Sequence, residues 1–220
     1  MPKIHINQAQ IWYEDSGQGA ETVVFSHGLL MNHSMFDAQV EALRGNYRCV
    51  RYDHRGQGRS QVTESGYDMD SLAADAAELI RKLDCGPCHF AGLSMGGFVG
   101  LRLAIHHPEL LRSLTLIDTT ARPEPPASRL RYRLLSLAGR LAGFKPLVGQ
   151  METLMFGSTF LSDPQRGNER RYWRQHLETL EKTGTLRAAH GVIHRTGVES
   201  LLGRIDLPTL IMVGEEDLAT

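Results

Sequence analysis

The 220-residue chain has few cysteines, no long apolar run and almost no net charge, and each absence excludes a class of protein. Three cysteines are too few for the disulfide framework of a small secreted domain. No apolar run approaches the ~20 residues that span a bilayer, and the first residues lack the layout of a signal peptide. With 24 Lys and Arg against 25 Asp and Glu, no excess charge attracts nucleic acid or an anionic membrane. These features predict a cytoplasmic protein that binds neither nucleic acid nor membrane.

Two of the cysteines, Cys85 and Cys88, form the sequence CGPC, which is a thiol–disulfide motif in some proteins. That chemistry needs the first cysteine at the start of a helix that follows a strand, because the helix dipole lowers the pKa of the thiol. Here a helical pattern precedes the pair and the apolar run CHFAGL follows it, so a redox role is not expected. No second pair of ligands lies at a spacing suited to zinc, and no metal site is predicted.

Patterns typical of strands alternate with patterns typical of helices along the first half of the chain. Alternating apolar residues between Ile4 and Tyr13 predict an antiparallel hairpin that turns near Asn7 and Gln8. Continuous apolar runs bounded by glycine are typical of strands that are buried on both faces of a parallel sheet. Such runs cover residues 22–28, 47–56, 89–94, 110–118 and 208–217.

Helical patterns separate these runs. Apolar residues recur at helical spacing from Leu72 to Leu83, with Asp70 or Ser71 as the predicted N-cap. The stretch GGFVGLRLAIHHP is nearly all apolar, as expected of a buried helix, and Pro108 ends it. Strands and helices joined by short links predict an α/β fold with a doubly wound, mostly parallel sheet.

The alternation stops after Asp118, and a proline-rich stretch follows at residues 121–128. From there to about residue 203 the patterns are helical, and the strand pattern returns with IDLPTLIMVG. The sequence therefore predicts a discontinuous core of residues 1–120 and 205–220. Residues 121–204 are predicted to form a helical cap, inserted after the sixth strand, that lies on the edge of the sheet.

The stretch AGLSMGGFVG places Ser94 where a strand ends and a helix begins, between Gly92 and Gly96. In such a turn the serine has a strained backbone, its hydroxyl lies above the carboxyl ends of the strands, and a flanking side chain would collide with a neighbouring element. The first amides of the helix suit a developing oxyanion, and Met95 N–H is the expected first donor. Leu29 N–H, in the turn SHGLL after a buried strand, is the second candidate. The alternative is a tight strand–helix junction without chemistry.

Four stretches, HGLL, DHRGQGRS, GLSMGG and VGEED, occur in an order and at a spacing that resemble the α/β-hydrolase superfamily over nearly the whole chain. The pattern is most similar to small esterases, enol-lactonase-like lactonases and cofactor-free perhydrolases. The resemblance implies that Ser94 is a nucleophile, that the Leu29 and Met95 amides form an oxyanion hole, and that Asp217 is the acid, with Asp118 as the alternative. It implies hydrolysis of a small-molecule ester or lactone through an acyl-enzyme, without a cofactor. DHRGQGRS is expected to be a structural loop in which Asp53 and Arg55 form ion pairs or bind local backbone.

The base that should activate Ser94 is missing from this pattern. A serine hydroxyl is a poor nucleophile until a base takes its proton, and in this family the histidine follows the acid. All ten histidines precede Asp217. His27 is an alternative base, although its equivalent in the family supports the oxyanion turn; His33 is a candidate for the pocket wall, and His176 is expected to pack within the cap.

Three explanations stay open for the missing base: the chain is part of a longer polypeptide, another chain supplies the histidine, or the protein binds ligands without turning them over. The chain alone is therefore expected to be nearly inactive, and loss of a last strand would leave an exposed sheet edge. A non-catalytic ligand- or partner-binding module is the rival function. Apolar residues of the cap are candidates for either an acyl pocket or the cap core, namely Met151, Leu154, Met155 and Phe156.

Overall fold

The computed structural model describes residues 2–218. Seven strands form one sheet: β1 (Lys3–Ile6), β2 (Ala9–Ser16), β3 (Thr22–Ser26), β4 (Arg48–Tyr52), β5 (Cys88–Leu93), β6 (Leu111–Ile117) and β7 (Thr209–Met212). Their order across the sheet is β1-β2-β4-β3-β5-β6-β7. The first two strands are antiparallel to their neighbours, and the other five are parallel to one another. The predicted α/β fold with a mostly parallel sheet is confirmed.

The predicted hairpin is also present. Asn7 and Gln8 join β1 to β2 with φ angles of 42° and 66°. Positive φ at both central residues is typical of a type I′ turn, whose twist matches that of the flanking strands. The Asn7 side-chain amide donates to Asp75 Oδ1 at 3.0 Å, which fastens the hairpin to the first long helix.

Eight α-helices lie in the described part of the chain: α1 (Asp37–Leu43), α2 (Met69–Lys82), α3 (Met95–His106), α4 (Pro126–Ala142), α5 (Val148–Met155), α6 (Ser158–Ser162), α7 (Gly167–Glu178) and α8 (Lys182–Ile193). The predicted N-cap of α2 is wrong. Asp68 caps this helix, accepting from Ser71 N–H at 2.9 Å, because the buried Met69 already belongs to the helix. The prediction for α3 is confirmed: it is buried from Met95 to Ile105 and ends before Pro108.

The central strands are buried on both faces, which explains their continuous apolar runs. All five residues of β3 are buried. Val23 and Phe25 pack with Val40 of α1 on one face, whereas Val24 joins Phe98 of α3 in the larger core on the other face. Because successive side chains of a strand point to opposite faces, a strand covered on both sides has no polar alternation.

Between β6 and β7 the described chain contains helices and turns but no strand, as the sequence predicts. The last strand is shorter than predicted. It ends at Met212, and the chain then turns, with Asp217 N–H donating to Gly214 O at 3.0 Å. β7 is last in the order of the described strands, and Ile211 within it and Val213 just after it are each 72 % exposed. None of the described helices combines the length and the apolar character needed to cross a membrane.

The CGPC stretch does not have the environment of a redox motif. Cys85 follows α2 and Cys88 begins β5, and both thiols are buried. Burial raises the pKa of Cys85 to about 11, and it also raises the pKa of Cys88. Both sulfurs are therefore protonated at neutral pH, whereas thiol–disulfide exchange needs a thiolate.

Candidate active site

Ser94 occupies the junction between β5 and α3 with φ 48° and ψ −109°. A positive φ is unfavourable for a residue with a side chain, and it persists only where the surroundings enforce it. Three hydrogen bonds do so. Ser94 N–H donates to Ile117 O at 2.9 Å, and Ser94 O accepts from Phe98 N–H at 3.0 Å and from Thr119 Oγ1 at 2.9 Å.

Glycines leave the space that this junction needs. A Cβ atom added at Gly92 would overlap the Gly96 carbonyl oxygen, and one added at Gly96 would overlap the carbonyl oxygen of Ser26. The start of α3 therefore lies against the backbones of β5 and β3 with no room for a side chain. The structure therefore confirms that a side chain at either flanking position would collide with a neighbouring element.

The turn after β3 lies beside Ser94, and Leu29 and Ser94 line the same cavity. The neighbouring Leu30 N–H donates to Gln57 Oε1 at 3.0 Å, whereas no acceptor in residues 2–218 hydrogen-bonds Leu29 N–H. Met95 is the first residue of α3, where amides have no partner within the helix. The two candidate donors thus flank the serine. Gln57, which the sequence did not single out, joins both sides, because its Nε2 also lies 3.8 Å from Met95 Sδ.

His27 cannot be the base for Ser94, so that interpretation is wrong. Its Nδ1 donates to Gly28 O at 2.8 Å and its Nε2 accepts from His54 N–H at 3.0 Å, so both ring nitrogens are occupied. Burial lowers the pKa of His27 to about 4, although Asp53 partly opposes the shift. The ring is neutral at pH 7, and its hydrogen bonds connect the turn after β3 to the loop after β4.

His33 does not line the Ser94 cavity, so its predicted place in the pocket wall is also wrong. Its Nδ1 lies 2.8 Å from Asp53 Oδ1, and the same oxygen accepts from the His33 N–H at 2.8 Å. Arg55 makes two hydrogen bonds of 2.7 Å to Asp75 of α2 in a buried ion pair. In the DHRGQGRS loop, Asp53 and Arg55 thus form the ion pairs and backbone contacts that the sequence predicts.

The histidines of the helical segment also lie away from Ser94. His176 of α7 donates from Nε2 to Leu30 O at 3.0 Å and so fastens this helix to the turn after β3. His190 and His194 stack on each other and line a different cavity. Within residues 2–218, no histidine hydrogen-bonds Ser94 or lines its cavity.

The cavity at Ser94 encloses about 160 Å³. The sheet side contributes the two turns already described and Phe98, and α4, α5 and α8 contribute most of the remaining wall. Of the four apolar candidates in this segment, three line the cavity: Met151, Leu154 and Met155. Phe156 does not, because it stacks on Phe160 beside a neighbouring cavity. Met151 also packs with Val148 and Leu177, so it serves both the cavity wall and the helical core.

The two candidate acids lie in that neighbouring cavity. Asp217 and Asp118 both line it, and Leu154 and Met155 separate it from the Ser94 cavity because they line both. Asp118 Oδ1 accepts from Gly214 N–H at 2.7 Å, so this carboxylate anchors the turn that leads to Asp217. The structure thus brings Leu29, Ser94 and Met95 together and places Asp217 one cavity away.

A buried ion pair in the Ser94 cavity has no counterpart in the sequence analysis. Arg195 Nη1 donates to Glu124 Oε2 at 2.6 Å, and the two residues are 7 % and 5 % exposed. The Arg195 guanidinium also lies 4.1 Å from the centre of the Phe98 ring. The partners are 71 residues apart, and no local motif marks either of them.

Comparison with known proteins gives the family of the chain. Residues 21–220 match the family described as having the alpha/beta hydrolase fold. The chain belongs to the α/β-hydrolase family. Its seven-stranded, mostly parallel sheet with flanking helices is therefore the fold of an α/β hydrolase.

Three relatives of this α/β hydrolase are informative. It is 30 % identical to 3-oxoadipate enol-lactonase 1 of Acinetobacter baylyi, over 92 % of this chain and 74 % of that protein. It is 29 % identical to RutD of Agrobacterium fabrum, whose name provisionally describes a carbamate hydrolase, over 90 % of this chain and 76 % of that one. The crystal structure of the enol-lactonase from Burkholderia xenovorans LB400 superimposes with a TM-score of 0.91 at 26 % identity, covering 99 % and 83 % of the two chains.

Proposed function

We propose that the protein is a serine hydrolase that cleaves a carboxylic ester or lactone through an acyl-enzyme. The observation that supports this most strongly is the strained turn at Ser94, which lines a cavity together with Leu29 and lies directly before Met95, the first residue of α3. Relatives named as enol-lactonases support the ester and lactone class, and the RutD relative extends it toward carbamates.

In the proposed reaction, Ser94 Oγ attacks the carbonyl carbon of the substrate and gives its proton to a base. The carbonyl oxygen becomes an oxyanion, which accepts from Leu29 N–H and Met95 N–H. Collapse of this intermediate breaks the bond to the alcohol oxygen, which leaves with the proton. Water then attacks the acyl-enzyme by the same route and releases the acid and Ser94. Preorganised amides of this kind contribute about 3–4 kcal/mol each to such reactions.

The base in this proposal comes from outside the described residues. None of the histidines in residues 2–218 reaches Ser94, and Asp217, which follows the last strand as the acid does in the family pattern, is the candidate to orient the incoming base. The chain alone is accordingly expected to hydrolyse esters far more slowly than a hydrolase with an intact triad. Removing the base from such a triad lowers the catalytic rate by roughly four or more orders of magnitude.

We also propose that residues 121–204 form a cap over a discontinuous core of residues 1–120 and 205–220. The walls of the Ser94 cavity support this organisation, because α4, α5 and α8 cover the side opposite the serine. The cap residues Met151, Leu154 and Met155 then bound the space for the acyl group.

The test compares the chain with Ser94→Ala in hydrolysis of p-nitrophenyl acetate, with and without added imidazole as a replacement base. We expect a slow rate that depends on Ser94 and that imidazole increases beyond its own reaction with the ester. A matched p-nitrophenyl carbamate measures the extension suggested by RutD. Equal rates for both proteins under all conditions would show that Ser94 is not the nucleophile.

A fluorophosphonate probe, which reacts with an activated serine, distinguishes the serine hydrolase from the non-catalytic binding module. Labelling at Ser94 in the presence of imidazole supports the hydrolase. A folded protein that is not labelled, yet binds small esters, would instead be the non-catalytic binding module.

A further inference from the structure

The wall of the Ser94 cavity includes the Glu124–Arg195 ion pair, which a purely apolar acyl pocket would not need. We propose that Glu124 and Arg195 together bind a neutral group that both donates and accepts hydrogen bonds, a hydroxyl or an amide, on the acyl part of the ligand. This inference rests on the proposed function for the identity of the reacting bond. It narrows the substrate class to hydroxylated or amide-bearing esters and lactones.

The hydrogen bonds of the ion pair leave one guanidinium nitrogen of Arg195 and one carboxylate oxygen of Glu124 without a partner among the described residues. Arg195 donates from Nε to Arg122 O at 3.1 Å, and from Nη1 to Glu124 Oε2 at 2.6 Å and to Val192 O at 3.0 Å. No residue in the described part of the chain hydrogen-bonds Arg195 Nη2 or Glu124 Oε1. Both side chains are more than nine-tenths buried and line the cavity. Because both residues line the Ser94 cavity, Nη2 offers a ligand there a donor and Oε1 offers it an acceptor.

The charge of the pair selects a neutral ligand. Arg195 and Glu124 cancel each other, so a ligand carboxylate or phosphate attracted by the guanidinium would also face the glutamate. A cationic ligand would face the guanidinium in the same way. A hydroxyl or amide satisfies both atoms at once, because it accepts from Nη2 and donates to Oε1.

In this proposal the group lies on the acyl side of the reacting bond, since Ser94 and the ion pair line the same cavity. Arg195 lies on the ring of Phe98, which is one helical turn after Ser94 on α3. Most of the wall around this route is apolar, from residues such as Leu29, Leu135 and Ile193. An acyl chain that starts at Ser94 and passes Phe98 therefore reaches a polar group after an apolar stretch, within a cavity of about 160 Å³.

The experiment uses methyl esters of straight-chain acids with four to eight carbons, each with and without a terminal hydroxyl. Their dissociation constants are measured by calorimetry on Ser94→Ala, so that binding is read without turnover. We expect at least one hydroxylated ester to bind about tenfold more tightly than its alkyl partner, as hydrogen bonds to charged groups predict. In the double variant Glu124→Leu/Arg195→Met, the preference should disappear or reverse.

The matched control replaces another buried ion pair between an arginine and a carboxylate, Arg55–Asp75, by Met and Leu. That pair lies outside the cavity, so the replacement should leave the preference unchanged. If no hydroxylated ester binds better than its alkyl partner, or if the preference survives in the Glu124 and Arg195 variant, the inference is wrong. A preference without any Ser94-dependent hydrolysis or fluorophosphonate labelling, even with added imidazole, would sustain this inference and count against the proposed function.

Discussion

The turns that carry Ser94 and Asp217 follow strands of the same sheet, yet different forces hold them. The Ser94 turn is enclosed, and the backbones of β3, β5 and α3 touch there with only glycine between them. The Asp217 turn follows the exposed strand β7 and is held by carboxylates. Asp118 accepts from Gly214 N–H, and Glu216 accepts from Ser158 and Thr159 at the start of α6.

This difference determines how each turn responds to change. Steric enclosure does not depend on pH. An atom added between closely packed backbones can be accommodated only if a strand or helix moves, so its cost is large. Hydrogen bonds to exposed carboxylates are weak, and protonation removes them. We therefore expect large effects on global stability from substitutions at the Ser94 side, and small or local effects from substitutions at the Asp217 side.

The largest effect is expected for Gly96→Ala. The added Cβ would overlap the Ser26 carbonyl oxygen, so β3 and α3 must move apart, and we expect a loss of about 3 kcal/mol or more in the free energy of unfolding. Urea unfolding followed by circular dichroism measures it. Gly149→Ala in α5 is the control, because its Cβ meets nothing within 4 Å, and it should be neutral or stabilise by less than about 1 kcal/mol. Similar values for the two variants would contradict steric enclosure at Ser94.

The enclosed turn could be predicted from the sequence because its determinants are local. The apolar run of residues 89–94, the serine and the glycines lie within one short stretch, and the period of the apolar residues indicates each flanking element. The hairpin at Asn7 and the buried helix α3 were predictable for the same reason. Local spacing thus gave the fold class, the order of elements and the place of the serine.

The polar contacts of the site could not be predicted in this way. Gln57 bridges two turns, His176 reaches Leu30 across 146 positions, and Glu124 pairs with Arg195 across 71. Each contact is set by how the helical segment packs on the sheet, and neither periodicity nor a motif records such packing. His33 was misplaced for the same reason, since its partner Asp53 follows a different strand.

The next largest effect concerns pH and comes from His27, a buried ring in the turn after β3, rather than from the glycine contacts. Burial holds the pKa of His27 at about 4 in the folded protein, against 6.5 for an ordinary histidine. Below pH 6.5 the unfolded chain binds more protons than the folded one, so the free energy of unfolding falls as the pH falls. The contribution of His27 is complete above pH 6.5, and about 3 kcal/mol is lost by pH 4.

Chemical unfolding of wild type and His27→Gln at pH 7 and pH 4 tests this expectation. The variant should lose less stability between the two pH values than wild type does, whatever its stability at pH 7. His5→Gln is the matched control, because it makes the same substitution at an exposed position. An unchanged pH dependence in the His27 variant would show that this ring is not held neutral by burial.

A smaller effect is expected at Asp118, on the Asp217 side. Asp118→Asn keeps an oxygen for Gly214 N–H and tolerates the φ of 42°, so stability should change little. Asp118→Ala loses the acceptor and strains the backbone, which should cost about 1–2 kcal/mol. Thermal unfolding gives both values. If Asp118→Asn instead removed the Ser94-dependent hydrolysis while leaving stability intact, Asp118 rather than Asp217 would be the acid.

The smallest effect is expected at Glu216, where a large one would contradict the difference between the Ser94 turn and the Asp217 turn. Its exposed carboxylate accepts from Ser158 Oγ at 2.6 Å, from Thr159 N–H at 3.0 Å and from Thr159 Oγ1 at 2.8 Å, and these bonds lower its pKa. Glu216→Ala should leave the global unfolding midpoint unchanged and speed hydrogen exchange at the Thr159 amide, as should acidification of the wild type through the lowered pKa. Glu215→Ala, in the same turn, should change neither quantity. Global destabilisation by Glu216→Ala would mean that the polar ties of the Asp217 turn support the fold as strongly as the enclosed glycines do, and the distinction between the two turns would then fail.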